Sequence, residues 1–100
     1  MAFPENPMTA EATVALERVP RLSARFRLQY ETAQNTWVLL YPEGMVKLSP
    51  TASEILRRVD GKATIASLVE SLEQAFPGVD LRADVIEFLR IAQDHGWIEP

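Results

Sequence analysis

His95 is the single histidine of the chain and stands between Asp94 and Gly96. At a helix end such a residue interacts with the helix C-terminus rather than with a substrate. Metal ligation needs several converging donors, and Asp94 alone does not complete a set. With no cysteine present, disulfides, iron–sulfur clusters, thiolate zinc sites and thiol catalysis are excluded. The glycines stand apart at 44, 61, 78 and 96, so no glycine-rich phosphate loop exists. The serines lack the G-x-S-x-G setting of a nucleophile elbow. Asp84/Glu87 and Glu70/Glu73 are spaced i,i+3 and read as solvated helix faces, with no apolar pocket to raise a carboxyl pKa. No residue set carries a reaction, so the expectation is a non-enzyme without metal or cofactor.

Binding is then the chemistry to explain. One hundred residues, 47% of them apolar, suffice for one domain that buries about 65% of its unfolded-chain surface. Trp37 to Tyr41 offers only five consecutive apolar residues, far short of a membrane span. The N-terminus shows no basic-then-apolar pattern, which makes the cytoplasm the expected compartment. Ten Lys and Arg against fourteen Asp and Glu leave a formal charge of −4. Residues 63–100 hold two basic and seven acidic groups, so counterion release would oppose nucleic-acid binding there.

The pattern along the chain changes period twice. Met1 to Val19 reads as a tail punctuated by Pro4, Pro7 and Pro20, in which Thr9 to Val19 is a candidate short helix. Phe26, Leu28 and Tyr30 then alternate with polar residues, as a half-buried strand requires. Thr32 to Asn35 is a hairpin turn. Trp37 to Tyr41, apolar on both faces, is a central strand. Pro42-Glu43-Gly44 turns into a third strand, Met45 to Leu48. From there the period is 3.6. Ser49 caps a helix with Pro50 at its first position and Asp60-Gly61 at its stop. Thr64 caps a second helix with the stripe Ile65, Leu68, Val69, Leu72 and Phe76. Asp80 caps a third, running to about His95 and closed by Gly96, after which Trp97-Ile98 returns to the core. The fold class is α+β and winged-helix-like: a three-stranded antiparallel β-meander followed by a three-helix bundle. The expected division is a flexible or partner-ordered tail, 1–21, and a domain, 22–100.

Two surfaces stand out. The apolar side chains of the third helix (Leu81, Val85, Ile86, Phe88, Leu89, Ile91 and Ala92) spread over about 220° at 100° per residue, more than one core-facing stripe needs. This fits either a central helix or a groove with Ile86 and Leu89 as one wall. The third strand lies at a sheet edge, and an edge accepts an added strand. The basic residues gather earlier in the chain. Arg18, Arg21, Arg25 and Arg27 are either a solvated face or a docking patch for a partner.

Trp37-Val38-Leu39-Leu40-Tyr41-Pro42-Glu43-Gly44, then Val46, Leu48, Ala52, Glu54-Ile55-Leu56, Asp60-Gly61 and Thr64 resemble the PqqD family of pyrroloquinoline quinone biosynthesis. Asp84 to Leu89 and the closing Gly96-Trp97-Ile98 are similar too, and the likeness covers about Leu22 to Glu99. It implies a non-catalytic peptide chaperone of the RiPP-recognition-element type. Such a protein binds the precursor peptide PqqA as an added strand and presents it to the radical-SAM enzyme PqqE. By position it implies a peptide site of Met45, Val46, Lys47 and Leu48 on the strand, and of Val85, Ile86, Leu89, Arg90 and Gln93 on the helix. The other classes are an oligomerisation module, a homodimer swapping Thr9 to Val19, and a winged-helix nucleic-acid binder. On this reading Leu89→Asp abolishes peptide binding without loss of the fold, and proline at Val46 removes an edge donor.

Overall fold

In the computed structural model, residues 16–99 are described. Five strands and three helices follow in the order β1 (Arg21–Leu22), β2 (Arg27–Glu31), β3 (Thr36–Tyr41), β4 (Gly44–Lys47), α1 (Pro50–Leu56), α2 (Ile65–Ala75), α3 (Arg82–Asp94) and β5 (Ile98–Glu99). The meander has the order β2-β3-β4 and is antiparallel throughout. β3 is its central strand as expected, with both Val38 and Leu39 at 0% exposure. Asn35, at φ 55°, makes the left-handed turn between β2 and β3.

The core gathers Leu39 and Leu48 from the sheet side, Ala52, Ile55 and Leu56 from α1, Ile65, Leu68, Val69 and Leu72 from α2, Val85, Leu89 and Ala92 from α3, and Ile98. Each fully buried aliphatic side chain of this kind contributes on the order of 1.5–3 kcal/mol. That dominates the exposed ion pairs of the surface, whose typical worth is about 0–1 kcal/mol.

The helices begin where capping chemistry permits. Ser49 Oγ accepts from Ala52 N at 3.1 Å, and Thr64 Oγ1 from Ser67 N at 3.1 Å. Three expected features are corrected. α1 stops at Leu56, short of the Asp60-Gly61 turn, because Arg58 N and Val59 N bond three residues back, to Ile55 O and Leu56 O, and tighten the chain out of the helix. Phe76 is exposed rather than part of the α2 stripe. The N-cap of α3 is Leu81, with no side-chain cap of its own. Its N–H is taken by Glu73 Oε2 at 3.1 Å, while Asp80 Oδ1 accepts weakly from Arg82 N at 3.3 Å. Asp80 thus reaches only the first amide of the helix, and a carboxylate from α2 takes the N–H of the N-cap residue.

A second, two-stranded sheet escaped the periodicity: β1 pairs with β5, Leu22 opposite Ile98 and Arg21 opposite Glu99. Two residues are too few to show an alternation. The pairing closes the domain, aided by Ser23 N donating to Trp97 O at 2.9 Å. It also corrects the extent of the tail. Leu16 packs on the core, Pro20 is buried, and Arg18 O accepts from Ile65 N at 2.9 Å, so 16–21 are held by the domain. The candidate helix from Thr9 lies outside the described residues up to position 15; Leu16 and Glu17 are helical, and Leu16 packs against its own domain.

Gly61 takes φ +76° in the α1–α2 connection, where Asp60 Oδ1 accepts from Lys62 N at 2.8 Å and Ala63 N at 2.9 Å. These two backbone donors, Ala63 foremost, hold the Asp60 carboxyl below its ordinary range. A carboxylate whose pKa is depressed by folding adds stability above its unfolded pKa, and that stability is lost as pH falls through the folded value. Asp60→Asn is therefore expected to be less stable than wild type near pH 7. The gap should close as the pH falls below about 4, near the unfolded pKa of Asp. Urea denaturation across that range checks this; a gap that persists undiminished at about pH 2 would mean that charge has no part in it.

Candidate functional site

β4 is an outer strand of its sheet, and no strand pairs with its far side among the described residues. Which of its backbone groups face outward follows from the register. Leu48 N donates to Trp37 O at 3.0 Å, and Leu39 lies opposite Val46, Leu40 opposite Met45, and Val38 opposite Lys47. Hydrogen-bonded and non-hydrogen-bonded pairs alternate in an antiparallel ladder. Val46 and Gly44 therefore turn their N–H and C=O toward β3, as Leu48 does, and Met45 and Lys47 turn theirs to the open side. Side chains alternate by the same period. Val46 shares the core face with Leu39, while Met45 and Lys47 lie on the outer face with Val38.

The expected strand residues consequently divide. Met45, 42% exposed, and Lys47 present both side chain and backbone to solvent. Val46 is half-buried and packs on the core margin. Leu48 is a core residue at 6% exposure whose carbonyl accepts from Thr36 Oγ1 at 3.1 Å, so it has no part in an open edge. Proline at Val46 would break the β3–β4 ladder itself; the edge donors belong to Met45 and Lys47.

The helix residues divide too. Val85 and Leu89 are 1% and 3% exposed and belong to the core. Ile86 is half-buried on the core margin, and Arg90 and Gln93 are exposed. At 100° per residue Ile86, Arg90 and Gln93 fall within about 60° of one another on α3. Arg90 is gripped on its own helix by Glu87 at 2.7 Å and Asp94 at 2.8 Å. The Glu87 carboxylate raises the guanidinium pKa, and Arg90 lowers that of Glu87, so the helix brings no net positive charge to this face. The strand and helix halves of the expected site pack on one core, but β4 and α3 are not among the element pairs in principal contact. β4 packs chiefly on β3, and α3 on α2 and β5.

Of the four arginines of the possible docking patch only two lie in strands, Arg21 in β1 and Arg27 in β2, in different sheets; Arg18 precedes β1 and Arg25 is in the turn before β2. Arg18 and Arg21 lie by the α1–α2 connection, where a Cβ added at Gly61 would sit 3.8 Å from that of Arg21. Arg25 is bonded to Glu43 at 2.9 Å, and Arg27 lies opposite Leu40 in the meander. The aromatic residues take structural positions. Trp97 stacks on His95 at 4.9 Å and meets Phe88 at 6.4 Å; Trp37 meets Tyr30 edge-on at 5.5 Å, with Arg57 over its ring at 5.0 Å. Sequence reasoning did not single out the Arg57–Trp37 contact, because residues twenty apart in the chain give no local signal.

Comparison with known proteins decides the family. The family described as Coenzyme PQQ synthesis protein D (PqqD) matches residues 36–98. The chain belongs to the PqqD family. Among curated relatives, the PqqA binding protein of Azotobacter vinelandii is 51% identical over 85 residues, covering 84% of this chain and 92% of the relative. The PqqA binding protein of Pseudomonas aeruginosa is 48% identical over 86 residues, covering 85% and 94%. The solution structure of the PqqD part of Methylobacterium extorquens PqqCD superposes with a TM-score of 0.69 at 30% identity, covering 82% of this chain and 89% of that one. It is described as a functional, stand-alone RiPP recognition element. PqqD proteins are non-catalytic binding proteins of PQQ biosynthesis. Among the described residues no cluster of His, Asp or Glu suits a metal ion, and no helix is long and apolar enough to cross a membrane.

The burial of Leu89 changes what its substitution reports. Leu89→Asp places a carboxylate in the PqqD core and is expected to cost about 3 kcal/mol or more. That corresponds to a thermal midpoint lowered by at least about 12 °C for a domain of this size. Calorimetric melting measures it; an unchanged midpoint would remove Leu89 from the core.

Proposed function

We propose that this chain binds the ribosomal precursor peptide PqqA as a strand added to the open side of β4 and presents it to the radical-SAM enzyme PqqE. The observation that carries the reading is the outward N–H and C=O of Met45 and Lys47, two residues that form a ready half-ladder. The names of the relatives support the identity of the peptide. Val46, half-buried on the core margin beside that edge, is the apolar residue best placed to receive the inward side chains of such a strand; Ile86 is half-buried on the margin of the same core. The chain itself performs no reaction. Its part is to hold an extended substrate in one conformation for an enzyme; of the arginines considered for enzyme docking, Arg18, Arg21 and Arg27 are exposed and in none of the ion pairs among the described residues, while Arg25 is paired with Glu43.

Amide hydrogen exchange by NMR on the 15N-labelled protein, with and without saturating synthetic PqqA, tests the reading. The Met45 and Lys47 amides are expected to gain protection, with chemical-shift changes at Ile86 and Gln93. Protection confined to Leu28 and Tyr30, the outward pair on the opposite edge strand β2, would move the peptide to the other side of the sheet. No protection at either edge would end strand addition altogether.

A further inference from the structure

We infer that the β4 edge selects its peptide by charge, through an acidic side chain paired with Lys47 and an apolar one two residues away against Met45. The inference rests on the strand-addition reading above and adds which residues the added strand must carry.

The register leads to it. In a β-ladder, residues directly opposite one another send their side chains to the same face. Met45 and Lys47 lie on the outer face, so the peptide residues opposite them also point outward, away from the core. On that face the row beside Lys47 runs through Val38 to Gln29, and the row beside Met45 through Leu40 to Arg27. Neither row holds an acidic residue. The ion pairs among the described residues occupy Arg25, Arg57, Arg58 and Arg90; Lys47 is in none of them. An incoming strand therefore meets one exposed ammonium group beside one exposed thioether, spaced i,i+2. An aspartate or glutamate opposite Lys47 completes an opposite-charge cross-strand pair, whereas a lysine there would be repelled. The peptide residue between the two points inward, toward the margin where Val46 packs, and there an apolar side chain is preferred. Arg90, already held by two carboxylates of its own helix, does not compete for the acid.

Lys47 has a rival role, that of a charge which keeps an open edge from pairing with other edges. Calorimetric titration of synthetic PqqA into wild type, Lys47→Glu and Lys47→Met separates the two. Lys47 is exposed, so all three proteins are expected to melt alike. At low salt, Lys47→Glu should bind at least about fivefold more weakly and Lys47→Met about twofold. The difference should shrink in about 0.5 M salt, as screening of an exposed pair demands. A peptide whose paired acid is replaced by lysine should recover affinity for Lys47→Glu. If Lys47→Glu binds as wild type does while the Met45 and Lys47 amides still gain protection, the charge pairing is wrong and strand addition stands. If those amides gain none, both fall.

Discussion

Everything in the meander follows from the burial of β3 on both faces. Val38 and Leu39 are adjacent, so they point to opposite sides, and both are fully covered. Leu39 joins the helices in the common core, so the parity of the strand cannot change without taking a leucine out of it. A slip of one residue would exchange the two faces of every paired strand. The same parity passes to β4 through the Leu39–Val46 pair. Once Val46 faces the core, Met45 and Lys47 must face outward in side chain and, by the alternation of the ladder, in backbone. The open edge is thus a consequence of the core.

The charges are arranged so that the helices are quiet. Glu54 holds both Arg57 and Arg58, the second at 2.8 Å, and Arg58 Nε also reaches Ser71 Oγ at 2.9 Å, tying the turn that follows α1 to α2. Arg90 is matched twice over. Most of these groups are exposed, and pairs of this kind do little for stability. On α3 the effect is on the field outside: Glu87 and Asp94 offset Arg90, and with Asp84 they leave the helix three carboxylates against the two guanidinium groups of Arg82 and Arg90, a poor surface for phosphates. A winged-helix DNA reader needs the reverse, a helix with unmatched Arg or Lys toward the groove. The likeness to that architecture is one of chain path, and the chemistry of α3 goes another way.

Much of this was legible in the residues. Period two in Phe26–Tyr30, the two-faced run Trp37–Tyr41 and the caps Ser49 and Thr64 describe elements whose signals lie within a few positions of one another, and each formed where expected. What the pattern did not show depends on partners distant in the chain. β1 and β5 are two residues each and exist only because Leu22 meets Ile98. The N-terminus of α3 is served by Glu73 from the preceding helix, which no capping rule for Asp80 could anticipate. The site was half legible for the same reason. Periodicity showed that α3 has too wide an apolar arc, but not which flank the core would take. The core took Val85 and Leu89 and left Ile86 at the margin. On β4, an edge was expected, but the assignment of donors needed the register.

That division of the site bears on how a peptide can be held without a pocket. Ordering an extended segment costs about 1–2 kcal/mol per residue in backbone entropy. Met45 and Lys47 together supply two donors and two acceptors, and four hydrogen bonds give a net return of about 0.5–1.5 kcal/mol each. For five ordered residues the cost is about 5–10 kcal/mol against a return of about 2–6 kcal/mol, so over most of that range the bonds alone fall short and side chains decide whether binding occurs. Val46 and Ile86 are half-buried, which leaves each of them apolar surface still to be covered, and an inward-pointing peptide side chain on that margin would add stabilisation on the scale of one buried aliphatic group. The outer face would contribute less energy, since an exposed charge pair is screened, but there a like charge opposite Lys47 would be penalised. A peptide strand added at such an edge would be held by backbone, would gain affinity from its inward residues and would be discriminated by its outward ones.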